Sequence, residues 1–172
     1  MIFLAISLDQ MPRDEFQLMI RNVEPTARKV AKEYGARAGV IEILGHSGNR
    51  QIRPQFRINA KYDLNEARKL AFELVQKYRK AMAENKEIQE FYQIKRPEYD
   101  LKKKLFPLSK TNVSINFYEN NTPCKKPYIT KVIFKDQSFY YYTMTTDWDT
   151  FQCIFEESYA DAEAYYTSQK AS

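Results

Sequence analysis

Histidine occurs once in this 172-residue chain and cysteine twice, and no long apolar run occurs anywhere. Each shortage excludes something. A Ser-His-Asp or Cys-His arrangement would have to use His46, which sits in the loop Gly45-His46-Ser47-Gly48-Asn49. Adjacent residues seldom aim at each other as nucleophile and base, so His46 and Ser47 read as a turn rather than a catalytic pair. The loop also lacks the Lys-Ser/Thr of a Walker motif and the dinucleotide fingerprint, and no cofactor is expected. Cys124 and Cys153 make neither a disulfide framework nor a zinc site, so no metal is expected. Both read as free thiols, Cys153 as a small buried hydrophobe and Cys124 as a loop residue. Without an apolar stretch of about 20 residues there is no transmembrane helix. Ile2 to Leu8 lacks the basic flank and cleavage site of a signal peptide and reads as a strand. If Met1 is the native start, the expected compartment is the cytoplasm.

What is present is aromatic and charged. Thirteen Tyr and eleven Phe raise the aromatic share to 15% within a hydrophobic fraction of 44%, enough apolar area for a core without staples. The net charge of +5 is unevenly spread: residues 1–110 carry +8 and residues 111–172 carry −3. A basic front and an acidic back imply an anionic partner, or two parts that face each other.

Hydrophobic periodicity divides the chain into elements. Pro12 ahead of Asp14 and Glu15 opens a helix with its acids in the positive first turn. Phe16, Met19, Ile20 and Val23 share a face of it, Pro25 restarts or kinks it, and Gly35 ends it. Ala31-x-x-x-Gly35 has the spacing of a helix-turn-helix, but Gly39 and the β-branched Val40, Ile41 and Ile43 oppose a recognition helix. Val40 to Leu44 and Arg53 to Tyr62 read instead as a β-hairpin. Asp63 and Glu66 have capping-box spacing before one long amphipathic helix over 64–92. Its stripe is Ala67, Leu70, Ala71, Leu74, Val75, Tyr78, Ala81, Met82, Ile88 and Tyr92. Residues 93–110 form a short basic connector, with a helical turn after Pro97. Strands near 112–118, 128–135, 138–145 and 150–155 follow at spacings that favour an antiparallel meander, and Ser158 caps a closing helix. The expected fold is one α+β domain spanning 1–172.

Three features bear on function. Period-two geometry puts Arg53, Gln55, Arg57, Asn59 and Lys61 on one sheet face, a composition suited to phosphates, which Lys102, Lys103 and Lys104 extend. Glu42 across the hairpin neutralises part of it. The run Phe139, Tyr140, Tyr141, Tyr142 must show aromatics on both sheet faces, one of them core and the other able to stack on bases or meet a partner. Asp147, Asp149, Glu156 and Glu157 make an acidic cluster of the kind that serves acid/base chemistry or binds a cation. The leading expectation is a non-enzymatic interaction or assembly module with a protein partner, able to oligomerise through the long helix or the aromatic sheet. The alternatives are a nucleic-acid-binding protein using the basic part and, last, an enzyme using the acidic cluster.

Overall fold

In the first helix, α1 (Arg13–Glu33), Asp14 and Glu15 occupy the first turn, and Pro25 lies inside one continuous helix without dividing it. A helix-interior proline costs about 3 kcal/mol. Here Met19 and Val23 before it, and Ala27 and Val30 after it, bury on one stripe that offsets the loss. Leu18 belongs to that buried stripe, whereas Ile20 is exposed. Gly35 takes a φ of +61° just past the helix, as a terminating glycine should. The structure, a computed structural model, describes residues 13–44, 51–99, 101, 105–145 and 150–171. The strand expected over 2–8 and the loop holding His46 lie outside them.

The chain then enters a hairpin of β1 (Arg37–Leu44) and β2 (Gln51–Ile58), paired antiparallel with a register shift between Ala38 and Val40. Strand, not recognition helix, follows Gly35. β1 begins three residues earlier than its apolar residues indicate, and β2 ends before Asn59.

The second helix, α2 (Leu64–Ala83), starts at a complete capping box between Asp63 and Glu66. The expected long helix does not run on to residue 92. It stops at Glu84, and α3 (Lys86–Lys95) begins anew with Asn85 as its N-cap, whose side chain accepts from the Ile88 amide. Asparagine competes with helical backbone bonds for its neighbours' amides and so favours this position. The stripe carries the signal, since no apolar residue falls between Ala83 and Ile88. After α3, Pro97 to Tyr99 form a turn; of the short helix expected over 101–105, Leu101 lies in a 3-10 conformation and Lys102 to Lys104 lie outside the described residues. The stretch is anchored to the body by Phe106, which is buried and exchanges backbone and side-chain hydrogen bonds with Arg79.

Five strands complete the sheet: β3 (Val113–Glu119), β4 (Thr122–Pro123), β5 (Lys131–Lys135), β6 (Ser138–Met144) and β7 (Phe151–Ser158). The described order is β1-β2-β3-β5-β6-β7, with β4 paired to β3. β3 to β7 pair antiparallel as the meander predicts. β2 pairs with β3 in parallel, so the sheet is mixed. A parallel pair needs a long crossover, which α2 and α3 supply. Asn120-Asn121 and Asp136-Gln137 turn β3 into β4 and β5 into β6 with positive φ at both central residues, the geometry that matches strand twist. Ser158 then caps α4 (Tyr159–Lys170) by accepting from the Asp161 amide at 3.1 Å.

All four helices join one hydrophobic cluster with a single face of the sheet, the face carrying Phe56, Ile115, Phe117, Val132, Phe134, Phe139 and Tyr141. Phe72, absent from the expected helical stripe, is fully buried there against Tyr159 and Tyr166 of α4. The cysteines reverse their expected roles: Cys124 is buried, Cys153 is exposed on β7, and both are free thiols. Among the described residues no helix is long and apolar enough to cross a membrane.

Candidate anion-binding face

Alternation along each strand sends half of its side chains to the face opposite the helices. On β2 these are Arg53, Gln55 and Arg57; β3 contributes Asn116 and Tyr118, β5 contributes Lys131, Ile133 and Lys135, and β6 contributes Tyr140 and Tyr142. Register aligns them in rows. Arg37, Arg57, Asn116, Lys131, Tyr142 and Cys153 are successive partners from β1 across to β7. Gln55, Ser114, Ile133, Tyr140 and Glu156 form the next row.

The first row is strongly cationic. Arg37 stands directly opposite Arg57 and both are exposed. Neither they nor Lys131 makes an ion pair with a described residue. Instead Arg57 and Lys131, and Lys135 on the same face, rest on rings. The Arg57 guanidinium lies 3.9 Å from the centre of Tyr118, the Lys131 ammonium 5.4 Å from Phe151, and the Lys135 ammonium 5.2 Å from Tyr140. Such contacts hold a cation in place without neutralising it. Burial, with Cys153 and Glu156 nearby, raises the Tyr142 phenol above its ordinary pKa against an opposing pull from Arg53. Tyr142 is therefore a neutral aromatic at physiological pH.

The residues singled out from sequence distribute unevenly over this geometry. Arg57 lies in the row. Arg53 shares its face but is only 9% exposed and pairs with Glu42 across the hairpin at 3.3 Å, so it offers little free charge. Gln55 also donates to Glu42. Lys61 lies beyond the end of β2, out of the row, where it pairs with Glu119 at 2.7 Å and sits over Tyr128. Lys61 lines an open cleft of about 260 Å³ with Lys125, Lys126 and Tyr128. Lys102, Lys103 and Lys104 lie outside the described residues.

Of the acidic cluster only Glu156 and Glu157 fall within the described residues, Asp147 and Asp149 lying outside them. Glu156 and Glu157 point to opposite faces of β7. Glu157 is buried, takes a two-pronged ion pair from Arg68 and accepts from the Tyr141 hydroxyl at 2.8 Å. Its lone pairs are spent on structure. Among the described residues no three His, Cys, Asp or Glu side chains converge as a metal site requires.

No family model, curated protein or solved structure matches this chain. The residues of the row therefore stand on their geometry alone. Sequence reasoning missed Arg37, Asn116 and Lys131. The helix stop at Gly35 was a signal that a strand could open at once, and Lys131-x-Ile133-x-Lys135 alternates as plainly as β2 does.

A second charged cluster also escaped sequence reasoning. Glu15, with no exposed surface, accepts from the Tyr92 hydroxyl at 2.5 Å and pairs with Arg96 at 3.1 Å and Lys110 at 3.6 Å. Burial and the Glu15 carboxylate drive the Tyr92 phenol far above its ordinary pKa. The cluster ties α1 to α3 and to a 3-10 turn at Leu108–Lys110.

Proposed function

We propose that this chain is a non-enzymatic binding module whose sheet face away from the described helices docks a partner bearing a line of negative charge. The observation that carries this reading is the opposition of Arg37 and Arg57 across β1 and β2, with Lys131 in the same row and no described carboxylate pairing with any of them. Like charges directly opposite in a sheet are destabilising. A face kept for solubility alone would gain by interspersing acids, as Glu42 does beside Arg53. An anionic partner converts the repulsion into attraction. The acidic-site enzyme loses ground because Glu157 is held by Arg68 and faces away from Glu156.

The test uses heparin as a generic polyanion. The wild-type chain should be retained on a heparin column at low salt and elute sharply as salt rises. The double variant Arg57→Glu with Lys131→Glu should lose retention while its melting temperature falls by no more than about 4 °C. Partly exposed charges contribute at most about 1 kcal/mol to stability, and Arg57→Glu relieves the repulsion from Arg37. Equal retention of both proteins, or none of the wild type at low salt, would sink the proposal.

A further inference from the structure

We infer that the polyanion is a single strand of nucleic acid, laid across the strands along the row from Arg37 to Cys153. This rests on the reading of the face as a polyanion site and names its ligand. Charge alone does not separate nucleic acid from an acidic protein, but the rings do. Tyr142 follows Lys131 in the row, and the Arg57 guanidinium lies over the Tyr118 ring. Phe151, 48% exposed, lies beside Lys131. An acidic peptide would use the three cations and leave these rings idle. A single strand uses both, since phosphates meet the cations while bases stack on aromatic side chains and arginine planes.

Asn116 stands in register between Arg57 and Lys131, where its amide can meet the hydrogen-bonding edge of a splayed base. Shape argues against a duplex. Duplex readout sends a helix or a projecting ribbon into a groove, and no described helix packs on this face. Six strands at about 4.8 Å spacing give a row of roughly 24 Å, room for about four nucleotides, the short end of known single-strand sites.

The experiment is fluorescence anisotropy on the full chain with three probes. These are a labelled 12-nucleotide single strand of thymidine or uridine, a duplex of the same length, and labelled polyglutamate. The single strand should bind at least tenfold more tightly than the other two. Tyr142→Leu should weaken it by roughly 5- to 150-fold, the loss expected for one stacked base, with the salt slope unchanged. Tyr142→Phe keeps the ring and should retain binding. Lys131→Gln should lower the salt slope by about one. Phe151→Leu, on an exposed position, repeats the ring test if Tyr142→Leu fails to fold. Duplex binding as tight as the single strand would overturn the inference while the polyanion reading stands. Preferred binding of polyglutamate would overturn it in favour of an acidic protein partner. Binding of none of the three would overturn both.

Discussion

Glu15 illustrates how a single residue changes meaning between sequence and structure. In the sequence it is a first-turn acid that complements the helix dipole, and it does occupy that turn. In the fold it is buried among Tyr92, Arg96 and Lys110, residues 77 and more positions away. Removing Glu15 leaves Lys110 and the Tyr92 hydroxyl without this acceptor, while Arg96 keeps Glu98 at 2.6 Å. The cost falls at the low end of the roughly 3–5 kcal/mol expected for a broken buried charged group. Glu15→Gln, nearly isosteric, should therefore lose about 3 kcal/mol in urea unfolding. A loss below about 1 kcal/mol would mean that the cations reach water and the cluster is not a structural clasp. Gln137 presents the opposite case. It holds a φ of +62° in the turn between β5 and β6, a conformation that favours glycine. Gln137→Gly should raise stability by roughly 0.5–1 kcal/mol, offset in part by the added freedom of the unfolded chain. A melting temperature that falls would show that the Gln137 side chain makes a compensating contact.

At the scale of elements, the break between α2 and α3 decides where the helical layer bends. Asn85 caps α3 and also donates to Asn22 of α1 at 2.8 Å, so one side chain fixes both the break and its docking. Asn85→Ala should cost about 1–2 kcal/mol, as loss of a helix cap does. Fusion of the two helices, read as a rise in far-ultraviolet helicity with unchanged stability, would contradict that role. Within α2 the buried stripe makes its own prediction. Leu74, fully buried, should cost about 2–5 kcal/mol as Leu74→Ala. Lys77, exposed and paired with Glu33 at 2.9 Å, should cost under about 1 kcal/mol as Lys77→Ala. Similar losses from both would mean that α2 presents a different face to the core. Helical spacing made this stripe legible as far as Met82. Beyond it the apolar residues resumed with a gap, which looks minor in a list and is a change of direction in space.

For the whole molecule, the abundance of buried tyrosine sets the response to alkali. Tyr78, Tyr92 and Tyr141 are buried, and desolvation raises each phenol well above its ordinary pKa; Glu15 adds to the effect at Tyr92 and Glu157 at Tyr141. A phenol whose folded pKa is raised contributes stability that is complete below its unfolded pKa, near 10, and is lost as pH rises toward the folded value. Each of the three should remove about 1.4 kcal/mol per pH unit above that point. With a typical stability of about 5–15 kcal/mol and a combined loss of about 4 kcal/mol per pH unit, the fold should not collapse below about pH 11. The phenolate absorbance of these three should then appear together with loss of circular dichroism. Gradual ionisation of all tyrosines near pH 10 with the fold intact would contradict their burial. The uneven charge of the sequence also resolves at this scale. The front and back parts meet through Lys61–Glu119 and Arg68–Glu157, while Lys131 from the acidic back joins Arg37 and Arg57 in the cationic row.

Period and capping determined much from sequence alone: α1 with its Gly35 stop, the start of α2 at Asp63, the hairpin, the antiparallel meander and the Ser158 cap. These depend on contacts within a few residues, where side-chain spacing and local hydrogen bonds decide the outcome. The two-sidedness of Phe139 to Tyr142 was legible for the same reason, because alternation is a property of the strand itself. Tertiary structure alone decided the parallel pairing of β2 with β3, and through it the alignment of Arg57 with Asn116 and Lys131. It also decided that Glu157 is locked to Arg68 and that Glu15 is buried. Each of these outcomes depends on which distant strand or helix becomes a neighbour. That choice is set by how a hydrophobic face is covered, a sum over the whole core that no local pattern records.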